Sequence, residues 1–197
     1  MAITEQLLTG SAVADSLADL ASLRIEIFQE FPYLYDGRRE DELRYLKLYA
    51  EAPESFVITV TASDKVVGAA TGIPLRHEHQ GLIEPFAGSA YPVDEIYYVG
   101  ELLLYPAYRN QGLGLRLVTK VEAQVCSLGT YRYLTCSTVL RPDDHPRRPT
   151  QTQYLPIDRF LARTGFRPLP GMTTEFSWRE TDGDTRTHPM KFWIKEL

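Results

Sequence analysis

The sequence constrains the fold most strongly between residues 96 and 129. The run Ile96–Leu104 is dense in β-branched, aromatic and leucine residues, which predicts a strand. Leu113–Leu128 carries apolar residues at helical spacing and is followed by Gly129, which predicts a helix that ends at a glycine. A short connection separates the two, so the chain must turn directly from the strand into the helix.

That connection contains Arg109-Asn-Gln-Gly-Leu-Gly114, which has the chemistry of a pyrophosphate-binding loop. Glycines let the backbone approach a bulky anion, and the first turn of a helix offers free N–H groups and the positive end of its dipole. Arg109 and Arg116 are expected to add charge at the rim. Position 117 is leucine, which departs from the dinucleotide-binding fingerprint, and the Gly-Lys-Ser/Thr of phosphate-loop NTPases is absent. The alternative is a structural glycine turn.

The remaining periodicity predicts elements in the order β, α, α, β, β, β, α, β, α, β, β. This mixture of antiparallel hairpins with a strand–helix–strand unit indicates an α/β three-layer domain, and a length of 197 residues fits a single domain over 1–197. The other predicted strands are 3–8, 55–61, 66–73, 132–140, 173–178 and 191–194, and the other helices are 14–30, 40–52 and 156–163, with one helical turn near 82–87.

The run Leu104-Tyr-Pro-Ala-Tyr-Arg-Asn-Gln-Gly-Leu-Gly114 resembles the acetyl-CoA signature of the GNAT superfamily, Arg/Gln-x-x-Gly-x-Gly/Ala, and the element order resembles that fold over nearly the whole chain. The resemblance implies a mixed central sheet with helices on both faces, and a splayed strand pair that binds CoA. It further implies that strand backbone pairs with the pantetheine arm, that loop amides hold the pyrophosphate, and that an amide near Leu103 or Leu104 polarises the thioester carbonyl. The residues it implies for CoA binding are Leu102, Leu103, Leu104, Arg109, Asn110, Gln111, Gly112, Leu113, Gly114 and Leu115.

Acylation of an amine requires a base, and Glu101 is the leading candidate. It is a carboxylate in an otherwise apolar strand, where burial is expected to raise its pKa. An outward-facing glutamate is the alternative, and Glu95 is the second candidate base. Strand parity around the expected bulge is open, which leaves Tyr98 as a substrate-contact or relay residue.

The resemblance also exposes a departure in the general acid. The family often has a tyrosine four residues before a Gly-Phe pair, and here that position is Leu161, before Gly165-Phe166. Tyr154 stands where a CoA-contacting asparagine is common, and its hydroxyl is a candidate proton donor; a core or surface tyrosine is the alternative. Thiolate leaves readily enough that a dedicated acid is dispensable.

The acceptor site is expected near the loop between the first two helices, which commonly covers it in this family. Tyr33, Tyr35 and Asp36 in that loop would supply aromatic walls and an acid for an amine, although packing of the loop on the core explains it as well. His145 lies in a proline-rich loop, where Asp143 and Asp144 are expected to orient it for substrate contact. A rigid solvated loop is the simpler account.

The remaining motifs have simpler structural interpretations. His77-Glu78-His79 is expected to be an exposed polar loop, and neither it nor Asp-Asp-His145 is expected to bind a metal. Cys136 is expected to be a buried hydrophobe, with a covalent cysteine intermediate as the weaker alternative.

Composition narrows the class of partner. The net charge of −5 and pI near 5.4 disfavour nucleic acid or an anionic membrane, and no apolar run is long enough to span a bilayer. No secretory signal is recognised and only two cysteines occur, so a cytoplasmic location is expected. The edge formed by residues 173–194 could pair in a homodimer.

These observations together predict an N-acetyltransferase. It would use acetyl-CoA as co-substrate without a metal, and a small-molecule or peptide primary amine would attack directly in a ternary complex. Two alternatives stay open: a non-catalytic acyl-CoA-binding sensor on the same fold, and an interaction domain without a CoA site.

Overall fold

A seven-stranded mixed sheet forms the centre of the computed structural model, which describes residues 2–150 and 154–197. The strand order is β1-β2-β3-β4-β5-β7-β6, and every neighbouring pair is antiparallel except β4 and β5. The strands are β1 Ile3–Thr9, β2 Phe56–Ala62, β3 Lys65–Pro74, β4 Ile96–Leu104, β5 Tyr133–Val139, β6 Arg167–Arg179 and β7 Thr185–Glu196. The helices are α1 Ala12–Phe28, α2 Arg39–Glu51, α3 Gln80–Ile83, α4 Leu113–Leu128 and α5 Ile157–Arg163.

Helices cover both faces of the sheet, as a three-layer architecture requires. On one face α4 buries Leu117, Val121 and Val125, spaced four residues apart, and α5 adds Leu161. On the other face α1 and α2 bury a second cluster, which includes Leu20. Each such fully buried aliphatic side chain contributes about 1.5–3 kcal/mol. Two cores therefore fix the sheet from both sides, and the predicted fold class is confirmed.

Strands β4 and β5 pair over a short distance and then diverge. The parallel register joins Ile96–Tyr98 to Tyr133–Thr135, and no pairing of the described residues continues it beyond Tyr98. The remainder of β4 stays paired with β3 on its other edge. The edge of β4 that faces β5 is therefore unpaired between the end of this register and the loop before α4.

A bulge in β4 decides which way its side chains point. Ala70 pairs with Leu102 and Gly72 with Val99, so β4 carries one residue more than β3 between these pairs. Before the bulge Val99 packs into the cluster on the α4 face; after it Leu103 packs into the cluster on the α1–α2 face. The bulge therefore reverses the strand's alternation and turns Glu101 toward α1 and α2, which settles the parity that the sequence left open.

The C-terminal hairpin is much longer than predicted. Strands β6 and β7 span Arg167–Arg179 and Thr185–Glu196, against the predicted 173–178 and 191–194. Most of the excess residues are exposed, and they include Pro168, Pro170, Gly171 and Pro189, so they carry little of the hydrophobic alternation on which the prediction rested. The helical turn expected near 82–87 lies at Gln80–Ile83, followed by a 3₁₀ turn. Within the described ranges no helix has the length and apolarity to cross a membrane.

Candidate active site

The connection from β4 to α4 forms an open, amide-lined corner. Gly112 precedes α4 with φ of +81°, in the left-handed region, and a Cβ built there would meet no atom within 4 Å. Asn110 also has a positive φ, of 60°. The amide of Arg116 is the first to bond within the helix, to the Gly112 carbonyl, so the preceding amides have no acceptor in their own helix. Free amides beside open space fit an anionic pyrophosphate.

Arg109 braces this corner. Its Nε donates to the Leu104 carbonyl at 2.8 Å, and its Nη1 pairs with Glu30 at 2.8 Å. Arg116 pairs with Glu5 at 2.8 Å. Both guanidiniums that are expected to add charge at the rim therefore have carboxylate partners in this structure, and their contribution to binding the pyrophosphate stays a prediction. Arg109 instead ties the end of β4 to the region after α1.

The backbone of β4 presents donors on its unpaired edge. The Tyr105 N–H donates to the Val67 carbonyl of β3 at 3.0 Å. Because successive amides of a strand point to opposite edges, the Leu104 N–H points toward the β5 side. The Leu103 side chain is anchored in the core, which keeps this segment in place. This edge therefore offers a backbone donor at Leu104, and its role toward the thioester carbonyl stays a prediction.

Glu101 lies at the bulge and is 2% exposed. One carboxylate oxygen forms an ion pair with Arg24 of α1, and Arg24 also pairs with Glu42 of α2. The other oxygen, Oε2, is buried and has no hydrogen-bond partner in the described part of the chain. The expectation from the sequence considered only the burial of Glu101 and omitted its partner Arg24. Arg24 sits among apolar residues of α1, which was the available sequence signal for it.

One of the proposed acceptor contacts, Tyr35, joins this cluster, and two others have different partners. The Tyr35 hydroxyl donates to Glu42 at 2.6 Å. The Tyr98 hydroxyl lies 2.8 Å from the Ser137 hydroxyl, where β4 and β5 diverge, and burial raises its pKa well above the ordinary value. The Asp36 carboxylate instead pairs with Arg179 of β6 at 3.2 Å.

Tyr33 packs against two other aromatic rings. Its ring centroid is 4.4 Å from that of Phe28 and 6.1 Å from that of Trp178. Burial is the main cause that raises the pKa of Tyr33 to about 12, and the nearby Cys136 adds to this rise. Burial also raises the pKa of Cys136 to about 12, which keeps the thiol protonated and disfavours a covalent cysteine intermediate.

Tyr154 and His145 both pack against the ring of Phe31. The Tyr154 ring packs edge-on to Phe31 with centroids 4.9 Å apart, and the His145 ring lies 5.6 Å away. The expectation that Asp143 orients His145 is wrong, because the imidazole Nδ1 accepts from the Arg147 amide at 3.2 Å and Asp143 pairs with Arg148. The other expected residue, Asp144, acts on the imidazole as a nearby negative charge. Burial and nearby arginines lower the pKa of His145.

A buried glutamate that the sequence did not reveal holds the loop between α1 and α2. Glu180 is 1% exposed and pairs with Arg141, Arg147 and Arg186; these four residues are named the Glu180 cluster. Arg141 also donates to the carbonyls of Pro32 and Tyr33, at 2.7 and 2.9 Å. The cluster thus fixes the loop between α1 and α2 through side chains from distant segments.

The motif His77-Glu78-His79 departs from the exposed loop expected of it, because Glu78 is 6% exposed. Its carboxylate accepts from the Tyr49 hydroxyl at 2.9 Å and from the His79 amide at 2.8 Å. Among the residues that the structure describes, no group of three or more His, Cys, Asp or Glu is arranged to hold a metal.

Comparisons with known proteins agree with this geometry. The model of the acetyltransferase (GNAT) family matches residues 20–145. No curated protein matches the chain by sequence. A GNAT acetyltransferase from Streptococcus pneumoniae superposes with a TM-score of 0.61 at 13% identity, covering 100% of both chains. An N-acetyltransferase from Staphylococcus aureus Mu50 gives 0.62 at 10% identity, covering 100% of this chain and 99% of its own.

A third solved structure contains the cofactor. The acetyltransferase yncA from Salmonella typhimurium, solved with acetyl-CoA, superposes with a TM-score of 0.60 at 13% identity, covering 100% of this chain and 95% of its own. These structural likenesses concern the fold, and the family model spans more than half of the chain. With its splayed strands and glycine corner, this chain belongs to the GNAT family of acetyltransferases.

Proposed function

We propose that this acetyltransferase moves an acetyl group from acetyl-CoA to a primary amine of a small molecule or peptide, in a ternary complex. When bound, acetyl-CoA supplies an activated thioester. The corner at Gly112 and the backbone of Leu102–Leu104 would hold it. Open space beside free amides and an unpaired strand edge support this placement.

Glu101 is proposed as the base that takes a proton from the acceptor amine, directly or through water. The observation that carries this proposal is its buried Oε2, which has no hydrogen-bond partner among the described residues. Glu101 and Glu42 are two carboxyl groups around the single guanidinium of Arg24, so the formal net charge of the cluster is negative. A negative cluster beside the strand divergence favours a cationic amine over an anionic acceptor.

We also propose residues that contact the acceptor and a residue that donates a proton to the leaving group. Tyr33, Tyr98 and Tyr35 line the region around Arg24 and the diverging strands, while Asp36 and His145 lie farther along the acceptor-side loops. Tyr154 remains the candidate donor to the departing thiolate. Burial raises its pKa, so its hydroxyl carries a proton at neutral pH.

The test is turnover with a panel of amines: a polyamine, an amino acid, an aminoglycoside and a peptide N-terminus, read as free thiol released. Glu101→Gln is expected to lower kcat about 100-fold, the low end of general-base effects. Acetyl-CoA affinity, measured by calorimetry, should stay near that of the wild type. Glu95→Gln is the matched control, because Glu95 directly precedes the same strand and pairs with Arg132 at the surface. Equal loss in both variants would contradict the assignment.

The non-catalytic sensor is the second candidate. It is favoured by Leu161, which is 3% exposed and lies in the core, where it offers no hydroxyl. Tight acetyl-CoA binding without thiol release on any amine of the panel would decide for the sensor. Absence of any thermal shift with CoA would exclude both.

A further inference from the structure

Arg24 is a buried cation to which the proposed reaction gives no role. It lies on α1, and its side chain is 14% exposed. Its Nε pairs with the carboxylate of Glu42 on α2, and its Nη1 pairs with that of Glu101 on β4. Both carboxylates are almost fully buried, with side-chain exposures of 2% and 1%. One guanidinium therefore joins three elements of the fold at the candidate base.

Two aromatic rings hold this guanidinium in place. Its Cζ lies 5.0 Å from the ring centroid of Phe28 and 4.6 Å from that of Tyr45. A cation over an aromatic face is attracted to the ring. Because an arginine presents its N–H groups in a rigid planar fork, a guanidinium held by two rings offers each N–H in a set direction. Arg24 therefore meets Glu101 with little freedom to rotate.

Glu42 anchors the other side of Arg24. Its Oε2 pairs with Arg24, and its Oε1 accepts from the Tyr35 hydroxyl at 2.6 Å. Tyr35 lies in the loop between α1 and α2 and forms an isolated β-bridge with Glu180. Side-chain contacts thus connect this loop, through Glu42 and Arg24, to Glu101.

The two carboxylate oxygens of Glu101 have different surroundings. Oε1 pairs with Arg24, whereas Oε2 is buried and has no hydrogen-bond partner within residues 2–150 and 154–197. The backbone at this position is also fixed, because the Glu101 N–H donates to Thr71 Oγ1 at 3.0 Å. A buried polar atom without a partner costs free energy, so a bound molecule with an N–H donor is favoured at Oε2. An acceptor amine offers such a donor.

We propose that Arg24 is a positioning residue, which holds Oε1 of Glu101 so that Oε2 is the oxygen presented to the acceptor amine. This inference deepens the proposed amine acetylation and rests on it. In this role Arg24 acts through Glu101 and does not itself contact the acceptor. Without Arg24 the carboxylate can leave the orientation in which it meets the amine, and a displacement of about 1 Å in a reacting group can cost about 100-fold in rate.

A double-mutant cycle on kcat tests this role, measured as thiol release at saturating acetyl-CoA with the amine that the wild type acetylates fastest. Arg24→Gln should lower kcat about 100-fold, as Glu101→Gln does. If Arg24 acts through Glu101, the double variant should be about as slow as either single variant, whereas independent roles would multiply to a loss of about 10,000-fold. Arg24→Lys keeps the charge but lacks the planar fork, so it should restore part of kcat.

Arg76→Gln is the matched control. Arg76 also combines a carboxylate with a ring: it pairs with Glu54 at 3.0 Å, and its Cζ lies 5.7 Å from the ring centroid of Tyr131. These partners have no role in the proposed reaction, so kcat of this variant should match that of the wild type. Calorimetric titration with CoA and thermal melting accompany every variant, and Arg24→Gln should retain the CoA affinity of the wild type. Should Arg24→Gln melt below the assay temperature, Arg24→Lys takes its place in the cycle.

Failure of this inference and failure of the proposed function give different results. If Glu101→Gln is slow but Arg24→Gln keeps the wild-type kcat, or if the losses in the double variant multiply, Arg24 does not act through Glu101 and only this inference is overturned. If the wild type releases thiol with no amine of the panel, or Glu101→Gln leaves kcat unchanged, the proposed function fails as well.

Discussion

The proposed cofactor side and the proposed acceptor side of the site are built in different ways. The corner at Gly112 and its brace Arg109 come from one run of chain, in which backbone geometry does most of the work. The acceptor side is assembled by side chains from remote segments: Arg141 binds the Pro32 carbonyl across 109 residues, and Trp178 binds the Tyr33 carbonyl across 145. Contiguous sites tolerate changes elsewhere in the chain, whereas assembled sites depend on every segment being in place.

The two sides also differ in how they carry charge. At the corner, amides and the helix dipole offer partial positive charge without a side chain. On the acceptor side, buried carboxylates form ion pairs with arginines, as Glu101 does with Arg24 and Glu180 does with three arginines. Changes of backbone conformation should therefore damage the first side, and changes of single charges should damage the second.

The largest expected effect is at the corner. Gly112→Val places a β-branched residue at φ of +81° and fills the open space, so acetyl-CoA affinity should fall about 100-fold, close to 3 kcal/mol. Calorimetric titration with CoA measures it. Gly129→Val is the matched control, because Gly129 ends the same helix with φ of +71° and is equally open. It should lower stability while leaving CoA affinity intact; unchanged affinity in Gly112→Val would remove the corner from the site.

A smaller effect is expected when the acceptor side loses one charge. Arg141→Ala removes two donors to the loop and one partner of Glu180, so unfolding should become easier by up to about 3 kcal/mol, the low end for a broken buried pair. Arg147 and Arg186 remain, which limits the loss. The KM for the acceptor should rise about tenfold while CoA affinity is retained. A parallel loss of CoA affinity would show that the two sides are not independent.

The smallest expected effect is on CoA affinity, and it should differ between substitutions of the two arginines near the corner. Arg116 is 56% exposed and its partner Glu5 keeps Lys120, so Arg116→Ala should change CoA affinity less than about threefold. Arg109→Ala removes the brace on the Leu104 carbonyl and should cost about tenfold. CoA titrations of the two variants side by side measure the difference. A larger loss in Arg116→Ala would mean that its charge, rather than the brace, serves the cofactor.

Much of the fold was predictable because its signals are local. The bounds predicted for β4 and α4 are those of the structure, since a dense β-branched run and an amphipathic period each lie within one segment. The hairpin β6–β7 was underestimated because an exposed edge needs little hydrophobic alternation. Glu78 was wrongly predicted to be exposed, because the sequence of a short polar motif does not show whether it lies at the surface or in the interior.

The bulge in β4 had no unambiguous signature either. One additional residue reverses the face of all that follow, so Glu101 could have pointed to either side of the sheet. Gly100 permits the bulge and the approach of Tyr49, but a glycine in a strand has several explanations.

The sequence by itself determined the element order, the glycine corner and the family resemblance, because these depend on residues close together in the chain. Only the tertiary structure decided the partners of the buried charges. Arg24 meets Glu101 across 77 residues, and such pairing depends on how helices and strands pack, which no local pattern encodes. The division follows from sequence separation. Local composition and spacing encode short-range geometry, whereas the electrostatic environment of a buried group is a sum over the whole fold.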